Sequence, residues 1–104
     1  MHEDKPLFIP LKTEYYEQFE NGTKRFEMRK YGARWNETTL WINRDVILSK
    51  GYGKKHRMQG HITHLERMRA IAMPERYHKD IIACYGDLRV TIVCIHIELR
   101  KVEK

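Results

Sequence analysis

Short apolar runs alternate with polar stretches along the chain, and the period of the apolar positions changes several times. Leu7-Phe8-Ile9-Pro10-Leu11 is a compact apolar run closed by Lys12-Thr13, which predicts a first strand ending at a turn. Thr13 then stands as the N-cap of a helix over 14–20. Glu14 and Glu17 fall in its first turn, where the helix dipole favours acids, and Tyr15, Tyr16 and Phe19 turn one aromatic face inward. Asn21-Gly22 ends that helix, because glycine accepts the left-handed conformation just past a helix end. From Arg25 onward the period drops to two. Phe26 and Met28 share one strand face, expected to pack on the first helix, while Arg25, Glu27 and Arg29 share the other, expected to meet a cleft or solvent.

Residues 31–39 break the alternation and read as a loop, in which Trp35 either covers the core or offers a stacking surface. Leu40-Trp41-Ile42 is a brief apolar run, Asn43-Arg44-Asp45 a turn, and Val46-Ile47-Leu48 the heart of another strand. Segments 46–50 and 57–67 are predicted as neighbouring strands joined by a glycine-bearing loop, with Ile62, His64 and Glu66 alternating against His61, Thr63 and Leu65. Pro74 starts and Gly86 stops an amphipathic helix whose Tyr77, Ile81, Cys84 and Tyr85 face inward. The last segment, Leu88 to Leu99, is β-branched and apolar on both faces, as a strand covered on both sides should be. The order of elements is α+β. A chain of 104 residues carries one such core, so 1–104 is read as a single domain with flexible ends at 1–5 and 101–104.

Composition narrows the class. A hydrophobic fraction of 41% excludes a disordered tail, and no window is apolar for the length of a membrane span. Met1 to Lys5 is polar, unlike a secretory signal, so the expected address is cytoplasmic. Cys84 and Cys94 read either as one disulfide or as two buried free thiols, and the reducing setting favours the thiols. The net charge of +6 is concentrated: residues 44–79 hold nine Lys/Arg against three Asp/Glu, and the flanking segments balance. That asymmetry favours an anionic partner, nucleic acid first, over the plainer reading of a solvated surface.

The candidate chemistry begins with Lys24, Glu27 and Arg29. By residue type alone they read as an ion pair bracing a strand or as the wall of a ligand cleft. At Gly22-Thr23-Lys24-Arg25-Phe26-Glu27-Met28-Arg29 the chain resembles the ASCH domains, a branch of the PUA-like superfamily, through the signature G-x-K-x-x-E-x-R. The resemblance extends to the preceding helix and the closing apolar strand. It implies a small, partly open β-barrel of about five or six strands with two flanking helices, a cleft lined by the signature residues, and recognition of RNA or a modified nucleotide. Members of the family include RNA binders, a branch that hydrolyses acetylated cytidine, and proteins credited with ribonuclease activity. By position Lys24, Glu27 and Arg29 line the cleft here, with Lys12 and Tyr52 in the same ligand-binding set. The amidohydrolase branch places threonine where this chain has Glu27, beside the lysine and a more distant glutamate.

Were the protein a hydrolase, Lys24 and Glu27 would be its chemical pair, Arg29 would stabilise negative charge, and Glu66 would be the second-choice acid. Around the glycine loop, Lys50, Lys54, Lys55 and Arg57 are candidate phosphate contacts and Tyr52 a stacking ring. The loop is not a Walker A motif, since it lacks the G-K-[ST] ending. His61 and His64 have metal-like spacing only on a helix, with no Cys or third His clustered nearby, so no zinc site is expected, and no cofactor of another kind. A protein-interaction module with an acidic partner is the third class.

Overall fold

The computed structural model describes residues 5–100, so the ends expected to be flexible lie, Lys5 apart, outside the described residues. Strand β1 (Leu7–Leu11), helix α1 (Thr13–Glu20), strands β2 (Phe26–Lys30), β3 (Asp45–Lys50) and β4 (Arg57–Arg69), helix α2 (His78–Tyr85) and strand β5 (Thr91–Leu99) follow in that order. All five strands form one sheet, ordered β1-β3-β4-β5-β2, with β1 parallel to β3 and the other pairs antiparallel. The sheet curls into a small, partly open barrel flanked by the two helices. Its free edges, β1 and β2, are drawn together where Arg29 Nη2 donates to the Pro10 carbonyl at 2.7 Å.

The central position of β5 follows from its composition. It pairs with β4 on one side and β2 on the other, and its alternation delivers side chains to two cores. Val93, Ile95 and Ile97 join Ile9, Leu48, Ile62 and the α1 rings of Tyr16 and Phe19 on one face. Ile92 and Cys94 join Ala70, Met73 and the α2 residue Ile81 on the other.

Several expectations are corrected. Phe26 and Met28 pack into the second core with Tyr77 and Tyr85, not on α1, because α2 covers that face of β2. Lys12 takes the N-cap position of α1 in an extended conformation, no side chain caps the helix, and Thr13 is its first residue. Pro74 opens a 3-10 turn over Glu75–Tyr77, which delays α2 to His78. In β4 the pairing register shifts between Ile62 and His64. The extra residue, Thr63, puts Ile62 and Leu65 on the first core, so Ile62 and His64 do not share a face. Leu40 is buried, but 40–42 forms no strand, and the chain turns at Asn43 with φ 72°. Cys84 is exposed and only Cys94 is buried, both as free thiols.

Candidate functional site

The turn after α1 sets the position of the first charged residue. Asn21 Oδ1 accepts from the Thr23 N–H at 3.0 Å and hydroxyl at 2.7 Å, and Gly22 takes φ 86°, so the chain reverses into β2 with Lys24 at the bend. Alternation along β2 then places Glu27 and Arg29 on one face, beside the seam with β1.

Glu27 is 7% exposed, and a carboxylate so enclosed requires strong partners. Its Oε2 accepts from Arg29 Nε at 3.0 Å and Nη2 at 2.8 Å, while Lys24 Nζ stands 3.5 Å from Oε1. The Arg29 guanidinium lies 4.8 Å from the centroid of Trp35, which is buried over the first core. Lys24 Nζ is 5.0 Å from the Tyr15 ring, 5.8 Å from Phe19 and 5.7 Å from Phe26, an aromatic surround that suits a partly desolvated ammonium. The ion pair is present, and the same triad lines a cavity: Arg29 braces the seam while all three charged side chains form part of the cavity wall. Glu27 Oε1 retains acceptor capacity, and Arg29 Nη1 makes no hydrogen bond among the described residues.

That cavity, of about 380 Å³, lies between the two helices and the seam. Lys12 and Tyr15 come from the α1 side, the charged triad from the β2 side, and Tyr77, Asp80, Cys84 and Tyr85 from the α2 side. Burial pushes the phenols of Tyr15 and Tyr85 above their ordinary value, with Asp80 adding to the effect at Tyr15, so both are protonated donors at neutral pH. A more open hollow of about 500 Å³ lies on the other side of Lys24, beside Arg25, Thr63 and His96. The smaller cavity is the better candidate because it combines the enclosed charges with aromatic walls.

The other sequence candidates fall elsewhere. Tyr52 is 82% exposed in the β3–β4 turn, its ring 6.4 Å from Phe8, and does not line the cleft. Arg57 stacks on the same Phe8 at 5.1 Å. Lys50 is engaged, 3.6 Å from Glu17 and 5.5 Å from the Tyr16 ring, whereas Lys54 and Lys55 are exposed with no ion pair among the described residues. The turn is tied to the cleft's rim by the Gly51 N–H, which donates to the Leu11 carbonyl at 2.8 Å, one residue from Lys12. Glu66 lies on the opposite face of β4 from the first core, away from the cleft. Sequence reasoning missed Tyr15 and Asp80 as cleft residues and assigned Tyr77 and Tyr85 to packing. Their helical spacing marked the inward faces of α1 and α2, but not that a cavity separates those faces.

Among the described residues no helix is long and apolar enough to cross a membrane. No protein-family model matches the chain, and no curated protein matches it.

Proposed function

We propose that the chain is a PUA-like module of the ASCH branch that binds a nucleobase or nucleoside, free or within RNA, in the cleft of Lys24, Glu27 and Arg29. One observation carries the reading: a cavity of ligand size combines tyrosine walls with an enclosed carboxylate that keeps acceptor capacity between two cations. A planar ring stacks on Tyr15, Tyr77 or Tyr85. Glu27 Oε1 accepts from an amino group on its edge, and Lys24 or Arg29 Nη1 donates to a neighbouring carbonyl or phosphate. The basic β3–β4 turn, next to the rim, tracks the phosphates of a longer strand, with Tyr52 and Phe8 as an outer stacking surface.

Calorimetric titration with RNA oligonucleotides and a panel of plain and acetylated nucleosides tests this. Lys24→Met and Tyr15→Leu should each weaken nucleoside binding at least about tenfold, roughly 1.4 kcal/mol, while Tyr52→Ala leaves it unchanged. Equal affinity in all three variants overturns the reading.

Hydrolysis in the same cleft is the second reading, and Asp80 is the observation that favours it. This carboxylate lines the cavity without an ion pair among the described residues, whereas Glu27 is ion-paired with both Arg29 and Lys24. Loss of turnover in Asp80→Asn with binding retained would establish chemistry; binding without product release from any panel member would exclude it for those substrates.

A further inference from the structure

Outside the cleft, the sheet face that carries the second core also carries a second cluster of side chains. The bulge at Thr63 turns His64 and Glu66 to the face they share with His96. His64 and His96 are directly opposed across β4 and β5, and Glu66 lies two residues along β4 on the same side. His96 Nε2 stands 2.8 Å and His64 Nε2 4.0 Å from the same oxygen, Glu66 Oε1, and the imidazole centroids are 5.3 Å apart. We propose that His64, Glu66 and His96 form a binding site for a divalent transition-metal ion of the zinc class, open to solvent at its remaining coordination position.

No three such side chains among the described residues are set for coordination in this conformation, so the distances decide how far this trio is from it. Two donors about 2.1 Å from a tetrahedral ion are about 3.4 Å apart. The two nitrogen–oxygen separations bracket that value, and each needs a change of about 0.6 Å to reach it. Two imidazoles on one tetrahedral ion put their centroids about 5 Å apart, which the rings already satisfy. The adjustment involves solvent-exposed side chains: His64 is 63% exposed and Glu66 44%. His96 is the anchored member, stacked on Phe26 at 5.1 Å with 29° between the planes. Two imidazoles and one carboxylate are the donor types that suit zinc, and three protein ligands leave a position for water. The hydrogen bond between His96 Nε2 and Glu66 Oε1 occupies the place an ion would take.

The intact chain is titrated with Zn²⁺ by calorimetry and with Co²⁺ by visible absorption. One ion per chain is expected, with the intense bands of four-coordinate cobalt. Glu66→Gln and His64→Ala sit on the surface and spare the fold, checked by thermal melting; each should weaken binding at least tenfold. His56→Ala, His61→Ala and Cys84→Ser should stay within twofold of the parent. Absence of saturable binding, or unchanged affinity in both Glu66→Gln and His64→Ala, overturns the assignment. So does loss of binding in any of the three controls, which places the ion elsewhere.

Discussion

Arg29 satisfies three demands with one planar group: it donates twice to Glu27, once to the Pro10 carbonyl across the seam, and stacks on Trp35. Removing it leaves an enclosed carboxylate with Lys24 as its one ion-pair partner among the described residues. Arg29→Met should therefore destabilise the fold by about 2–4 kcal/mol, read from urea unfolding. Arg29→Lys should recover less than half of that, since an ammonium cannot reproduce the fork or the stack. A loss in Arg29→Met no larger than that of an exposed ion pair would show that the seam does not depend on it. The two thiols offer a contrast at the same scale. Burial pushes the Cys94 thiol up to about 11, with Glu66 adding to the effect, while Cys84 is exposed. A thiol reagent at neutral pH should modify one cysteine in the native protein and two in denaturant. Because the folded-state value is raised, Cys94 favours the folded state below its ordinary value of 9.0, and that contribution is lost as pH rises from there through about 11. Stability measured by urea midpoint should fall over that alkaline window, and a Cys94→Ala background should show a shallower fall.

Among the elements, β4 depends most on a single small residue. A Cβ built on Gly60 would stand 2.5 Å from the Glu98 carbonyl oxygen of β5 and 3.1 Å from the Ile97 side chain. Backbone in the centre of a sheet cannot yield cheaply, so Gly60→Ala should cost about 2–3 kcal/mol and lower Tm, while Gly53→Ala, which meets open space, should change little. The sequence pattern made the existence of β1, α1, β2, the β3–β4 hairpin and β5 legible, because each carries its own period or turn residues. Packing partners were less legible. Phe26 and Met28 were assigned to the nearest helix in sequence, yet α2 covers them, since adjacency along the chain does not determine which helix covers a sheet face. The bulge at Thr63 left no sequence signal, and without it strict alternation put Ile62 beside His64. His96 was invisible as a partner of His64 and Glu66 for the same reason: cross-strand register brings them together, and register is a property of the sheet. In the cleft, the triad was legible from a local signature, whereas Asp80 and Tyr77 arrive from a distant segment across a cavity no periodicity encodes.

At the scale of the molecule, the cationic excess lies in the 44–79 segment and part of it is held internally: Lys50 by Glu17, and Arg67 by Glu37, which also accepts from the Tyr31 hydroxyl. Lys54 and Lys55, exposed at the β3–β4 turn with no ion pair among the described residues, remain as uncompensated positive charge beside the cleft's rim. If a single strand of RNA runs from the cleft over this turn, its phosphates release counterions and affinity must fall with salt, by about 0.7 in log–log slope for each phosphate neutralised. The Lys54→Ala/Lys55→Ala double variant should then reduce the slope by about 1.4 while leaving nucleoside affinity unchanged. Tyr15→Leu, which removes a ring and no charge, should weaken oligonucleotide and nucleoside binding alike with the slope intact. Oligonucleotide titrations across a salt series separate the two surfaces. A double variant with the parental slope would remove the turn from the RNA path and leave the cleft to act alone. A salt-independent interaction in the parent would exclude phosphate tracking altogether.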